Sequence, residues 1–205
     1  MPETEPRKRL SSDARQREIV AAVVELAQLH GPDAITTQAI AEHIGLTQGA
    51  IFRHFSTKEA IWLAVFAWVR EALGTLLDEA SAGPATPVEQ LERIFLAHTA
   101  FIARHPGVPR ILFHELQTPG GSPVRQAVRA MVMGYRQRVS EILARGKADG
   151  TLCASLDEAK AAGLLIGAVQ GLVIQSALRE DPEVLTRDAE AVFAILLHGF
   201  KGRCP

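Results

Sequence analysis
The chain has 205 residues, 47% of them hydrophobic but only 5% aromatic, and a formal net charge of -1. That length allows a sizeable core in one domain or two small ones, and the aliphatic balance suits packed helices. A near-neutral chain has no global basic signature of a nucleic-acid binder, so any such surface must be local. Residues 1–10, "MPETEPRKRL", are charged and Pro-containing and read as a flexible arm; with no apolar core they do not form a signal peptide. A first helix starts at Ser11 or Ser12, either of which can cap it, and stops before the breaker pair Gly31-Pro32. Ile19, Val23, Leu26, Ala27 and His30 recur on one face of it. Thr36 caps a short second helix that turns Ile40, Ala41 and Ile44 inward, and Gly45 supplies a left-handed exit. Thr47 caps a third helix after only "GLT", and two short helices joined this way form a helix-turn-helix.

Lys58 opens a longer helix with adjoining apolar stripes, Ile61, Val65 and Trp68, then Trp62, Phe66 and Val69, ending before "SAGPATP". Amphipathic segments follow at about 88–105, 108–116, 122–148, 156–178 and 183–202, separated by Gly- and Pro-containing breaks. The run "AAGLLIGAVQGLVIQSAL" is interrupted by Gln170 and Gln175 and is slightly short for a membrane span, so it reads as a buried helix. No strand-type alternation and no internal repeat is present. The fold class is all-α: an N-terminal three-helix domain at residues 11–57 and a C-terminal helical domain at 58–205.

The stretch "GLTQGAIFRHFSTKEAI" mixes two kinds of residue, and a helix-turn-helix needs both. Its second helix lies in the DNA major groove while one side packs on the preceding helices. Leu46, Ile51 and Phe55 suit the packed side, and Thr47, Gln48 and Ala50 are placed to meet base edges. Gly49 leaves room for close backbone approach. Gln48 can pair two-pronged with adenine, and the methyls of Ala50 or Thr47 can touch a thymine methyl; the bland alternative is that Gln48 is merely exposed. Arg53, His54 and Lys58 suit phosphates, which set register.

The span "REIVAAVVELAQLHGPDAITTQAIAEHIGLTQGAIFRHFSTKEAIWLAV" resembles the N-terminal domain of the TetR (tetracycline-repressor) family. The Gly31 turn, the "ITTQAIAEHIGLTQGAIFRHF" segment and Lys58-Glu59-Ala60-Ile61 carry the resemblance over residues 14–66. It implies DNA contacts at Thr37, Gln38, Gln48, Gly49, Ala50, Phe52, His54 and Lys58. Two positions depart from the family pattern. Phe52 stands where Tyr is usual and cannot make that hydroxyl's phosphate contact. Ala39 stands where an acid usually completes the second helix's cap.

In the second half, Trp62, Phe66, His98, Phe101, Phe113 and Tyr135 are candidates for an effector pocket, and each also reads as ordinary core. Gly163, Gly167 and Gly171, spaced by four, make a flat stripe on one helix at about 1 kcal/mol each relative to Ala. Its partner is the last helix, through Val192, Phe193, Leu196 and Leu197, within the chain or in a second copy. The resemblance implies that the last two long helices form a dimer's four-helix bundle. Arg7, Lys8 and Arg9 form either a groove-reaching arm or a solvated tail. Cys153 and Cys204 are too few for a disulfide framework, which points to a reducing, cytoplasmic compartment; the two could form a redox pair, but they read rather as two unlinked thiols.

These features describe a homodimeric regulator, a repressor of a palindromic double-stranded operator, released by a small hydrophobic or aromatic effector. No cofactor, metal or membrane partner is called for. One rival is a regulator without a small-molecule inducer, whose C-terminal half only dimerises or binds protein. An all-α enzyme is the other, but the chain has no HExxH, no di-iron Glu-x-x-His pair and no phosphate loop.

Overall fold
The computed structural model describes residues 11–117 and 119–202. Ten α-helices follow in order among them: α1 Ser12–Leu29, α2 Thr37–His43, α3 Gln48–Phe52, α4 Lys58–Ser81, α5 Pro87–Arg104, α6 Gly107–Gln117, α7 Pro123–Ala148, α8 Glu158–Arg179, α9 Val184–Arg187 and α10 Ala189–Lys201. No strand occurs among the described residues. The expected all-α fold is the one observed. The arm at 1–10, with Arg7, Lys8 and Arg9, lies outside the described residues.

Side-chain caps fix most of the helix starts. Ser11 Oγ accepts from the amide of Ala14, Thr36 Oγ1 from Ala39, Thr47 Oγ1 from Ala50 and Thr57 Oγ1 from Ala60. Each satisfies one of the amides that a helix leaves without an internal partner. Thr36 therefore caps α2 with Ala39 in the third position, as expected. Thr86 and Glu89 form a reciprocal capping box on α5. Gly45 has φ 63°, the left-handed geometry that lets the chain reverse between α2 and α3.

The core runs continuously from the small helices into the bundle. Ile19, Val23 and Ala27 of α1 are fully buried, as are Ile40 and Ile51 from α2 and α3, while Ile61 and Val65 of α4 are 1% exposed. His30 is a correction: it is exposed and ends α1 rather than joining the apolar face. Helix α4 packs on α1 at one end and on α5 and α7 farther along, and α6 lies against α1. At Gly107, where α6 begins, a Cβ would stand 2.4 Å from the carbonyl oxygen of Val24 and 2.9 Å from Ala27 Cβ. The two helices approach so closely there that only hydrogen fits.

Three expectations fail in detail. The segment expected at 183–202 is broken at Asp188, whose carboxylate pairs with Arg179 and accepts from Arg187 Nε. Helix α8 is not buried all round: Leu164, Ile174 and Leu178 are 56%, 52% and 73% exposed. Both α4 and α8 are long and apolar enough by length and composition to cross a membrane, and both pack within this bundle. Cys153 is not a free thiol, against the expectation of two unlinked ones. Its amide donates to the carbonyl of Phe200 at 3.0 Å, so the loop after α7 meets the end of α10, a proximity that sequence spacing hides. Cys204 lies outside the described residues.

Candidate nucleic-acid interface and effector cavity
The exposed end of the α2–α3 unit carries most of the expected reading residues. Thr47, Gln48, Gly49, Phe52 and Arg53 are exposed, and Ala50 and His54 are half-buried. Ile51 and Phe55 turn the other way, into the core. A Cβ on Gly49 would meet nothing nearer than Thr47 Oγ1 at 4.0 Å, so within the subunit nothing demands glycine there. Phe52 is 46% exposed, a large ring held on the surface beside Arg53.

Two expected contacts sit differently. Thr37 is only 9% exposed, and its Oγ1 accepts from Gln48 Nε2 at 2.7 Å. It faces α3 rather than solvent. Gln38 is exposed, but its Nε2 donates to Glu42 Oε1 at 2.6 Å. His54 ties the reading unit to α1: its carbonyl accepts from Gln16 Nε2 at 3.2 Å, and its Nδ1 lies 3.3 Å from Ser12 Oγ. Lys58 Nζ sits 5.8 Å from the centroid of the Trp62 ring, within the range of a cation–π contact.

An apolar cavity opens between α4, α5, α6, α7 and α8. Val69 and Leu73 form its wall on α4, Val108, Pro109, Leu112 and Phe113 on α6, and Met131 and Val132 on α7. His98 and Tyr135 face it from α5 and α7, and Gln170 from α8. No Asp, Glu, Lys or Arg among the described residues lines it. The Tyr135 hydroxyl and His98 Nδ1 are 3.0 Å apart. Enclosure pushes the His98 pKa down to about 4 and raises that of Tyr135, so at neutral pH both are uncharged. Free volume is about 70 Å³, far below the roughly 300–1,000 Å³ of drug-sized pockets. A groove continues outward past Phe113 to Arg110, Ser176 and Asp181.

Of the six expected pocket residues, His98, Phe113 and Tyr135 line this cavity, and Trp62, Phe66 and Phe101 do not. Trp62 lies seven residues before Val69, or about 10 Å lower along α4 at 1.5 Å per residue. Phe66 is 2% exposed in the core, and Phe101 packs instead with its ring 5.9 Å from that of Trp68 and 4.8 Å from that of His105. The missed residues are aliphatics, which look alike whether they fill a core or border a void. Gln170, a polar break in an apolar run, was the one signal available.

Two family models match the chain: bacterial regulatory proteins, tetR family, over residues 19–65, and the tetracyclin repressor-like C-terminal domain over residues 84–174. The chain belongs to the TetR family. It is a DNA-binding transcriptional regulator with an N-terminal helix-turn-helix. Among curated relatives, the nucleoid occlusion factor SlmA of Vibrio campbellii is 23% identical over 158 residues, covering 77% of this chain and 81% of that protein. A TetR-family transcriptional regulator from Agrobacterium tumefaciens superposes with a TM-score of 0.80 at 18% identity, over 94% of this chain and 100% of that one. The regulator FadR from Bacillus subtilis, solved with stearoyl-CoA, has a TM-score of 0.74 at 22% identity, over 89% and 98%.

On this TetR-family chain, the outer face of α8 is apolar and uncovered. Leu164, Gly167, Gly171, Ile174 and Leu178 are all exposed, and their spacing of three and four makes one seam along the helix. A Cβ on Gly167 or Gly171 would meet nothing within 4 Å. Gly163 differs: its Cβ would stand 3.4 Å from Arg136 Nη2 in the same subunit. The expected contacts on α10 divide as well. Phe193 and Leu196 are buried, with Phe193 5.7 Å from the Phe95 ring, whereas Val192 and Leu197 are half-buried and Ile195, unforeseen, is 72% exposed.

Proposed function
We propose that the chain is a homodimeric, ligand-responsive repressor that leaves a palindromic operator when a small, mainly apolar effector enters the cavity of α4 to α8. The observation that carries the reading is the wall shared between cavity and reading unit. Val69 and Leu73 border the cavity on the same helix whose first residue is Lys58, and Val108 and Pro109 border it on the helix locked against α1 at Gly107. A swelling of the cavity that displaces either of these two helices is carried directly to the reading unit. Residues 11–57 then act as the reading domain and 58–205 as the effector and dimerisation domain, working on DNA in the cytoplasm, with no catalytic step and no cofactor or metal.

Gln48 reads a base, with Thr47, Gly49, Ala50 and Phe52 around it, while Arg53, His54 and Lys58 hold phosphates. The seam Leu164, Gly167, Gly171, Ile174 and Leu178, with Ile195, meets its copy in a second subunit, because two identical apolar seams bury each other without unpaired polar groups. The effector carries an apolar body and one uncharged hydrogen-bonding group for His98 and Tyr135. The Bacillus subtilis relative was solved with stearoyl-CoA, of which only the acyl chain, not the phosphate-bearing coenzyme A part, has that apolar character.

Selection of bound sequences from random DNA, repeated with candidate apolar effectors, tests the whole reading. It should return an inverted repeat with half-sites about 34–36 Å apart or a multiple, and an effector should abolish the enrichment. Linkage requires operator DNA to weaken effector binding by the same factor. Sequences without inverted symmetry would refute the dimeric reader. The small free volume favours one rival, a regulator without a small-molecule inducer. A thermal-shift screen in which no apolar compound raises the melting temperature supports that rival.

A further inference from the structure
We infer that Thr37 is a positioning residue, not a DNA contact, and that its hydroxyl holds Gln48 so as to select adenine at one position of each half-site. The inference rests on Gln48 as the base reader. Thr37 begins α2 but does not cap it, since Thr36 Oγ1 takes the amide of Ala39. Its hydroxyl is therefore available, and it accepts from Gln48 Nε2 at 2.7 Å. The turn between the two helices is fixed independently: Gly45 has φ 63°, and the amide of Leu46 donates to the carbonyl of Ala41 at 2.8 Å. The hydroxyl thus stands at a set place relative to the first residue of α3.

A carboxamide nitrogen carries two N–H groups and the oxygen none. With one N–H engaged by Thr37, the other N–H and Oε1 remain on the exposed side. Adenine offers the complementary pair in the major groove, an N7 acceptor beside an N6 donor. Guanine offers two acceptors, and its O6 would face Oε1. Thymine offers an acceptor and a methyl, and cytosine only a donor. Without Thr37 the carboxamide loses its anchor within the subunit and turns about its last side-chain bond at little cost, and the preference fades.

The test compares the full-length protein with its Thr37→Ser, Thr37→Val, Thr37→Ala and Gln48→Ala variants. Each is titrated against the selected operator, its three single-base replacements at the adenine, and a duplex with 7-deaza-adenine there. Wild type should favour adenine by about five- to 150-fold, the range of one two-pronged pair, and should lose most of that preference on 7-deaza-adenine. Thr37→Ser should keep the preference. Thr37→Val and Thr37→Ala should lose most of it while binding unrelated duplex as wild type does, a readout that a merely structural role would not separate. If both retain the wild-type preference while Gln48→Ala loses it, the positioning role is wrong and the reader stands. If Gln48→Ala also retains it, the reader and the inference fall together.

Discussion

Replacing Gly107 with alanine tests how tightly the effector helix is joined to the reading domain. The added Cβ would lie 2.4 Å from the carbonyl oxygen of Val24, 2.9 Å from Ala27 Cβ and 3.0 Å from Ala27 C. Two of those three atoms are backbone and cannot turn aside. Helix α6 must therefore back away from α1, and overpacking of this kind costs about 1–3 kcal/mol. Alanine's better helix propensity returns at most about 1 kcal/mol, and less in a first turn. A net loss of about 1–2 kcal/mol is expected, or very roughly 2–8 °C in Tm for a domain of this size. Gly74→Ala is the control: Gly74 lies inside α4 with nothing within 4 Å of its Cβ position, so it should gain about 0.5–1 kcal/mol. Urea denaturation followed by circular dichroism at one fixed protein concentration measures both, the fixed concentration being needed if folding is coupled to dimerisation. Shifts of the same sign, or a Gly107→Ala protein as stable as wild type, would refute the reasoning.

His98 is uncharged in the folded state down to a pKa of about 4, against 6.5 when exposed. Between those values the unfolded chain binds the extra proton, so stability rises with pH through that window and is lost as pH falls. The full span is on the order of 3 kcal/mol, and His98→Gln should flatten it in denaturation curves taken from pH 4 to 7; an unchanged slope would exclude His98 as the source. Leu178→Glu should give monomers in sedimentation with wild-type helix content, because its side chain meets solvent in the subunit, whereas Phe193→Ala should cost about 3–5 kcal/mol of folding stability. Phe52→Tyr should tighten binding to every DNA sequence alike, by about the 0.5–1.5 kcal/mol of one hydrogen bond; a gain confined to one operator would place the ring on a base instead.

The fold was legible where the chain carries its own punctuation. Ser11, Thr36 and Thr47 precede apolar periodic runs, and a capping hydroxyl followed by such a run can be recognised without tertiary information. Gly45 marked the turn because few other residues enter that backbone region. The break at Asp188 was hidden, since Arg179 and Arg187 reach it from different helices. The outward side of α8 was hidden too. Leu164, Ile174 and Leu178 have the composition of core residues, and a helix that keeps one apolar face for another surface reads like one buried all round. The same ambiguity left Phe193 and Gly163 open between a contact within the chain and a partner surface, because spacing alone does not distinguish an inward ring from an outward one.

The candidate sites divide along a similar line. The candidate reading residues stood out because polar side chains at the start of a short helix are unusual for a core, and the exposure of Thr47, Gln48, Gly49 and Arg53 fits that contrast. The cavity was only half visible, because its polar members, His98 and Tyr135, stand out in an apolar stripe while its aliphatic wall does not. Only part of what joins the two candidate sites was visible: the run of α4 from Lys58 into the apolar stripe of Trp62, Phe66 and Val69. A second link runs through α1, which α6 meets through Gly107 and through Arg110 Nη1 donating to the Gln28 carbonyl at 2.9 Å, and which grips α3 through Gln16 and the His54 carbonyl. The Gly107 contact transmits displacement well, since no flexible side chain stands between the two helices to absorb it, while Arg110 and Gln16 add side-chain tethers. With both links present, an effector that spreads α6 from α4 would pull the reading unit from two ends. Tilting it then needs less movement at either end than a single lever would.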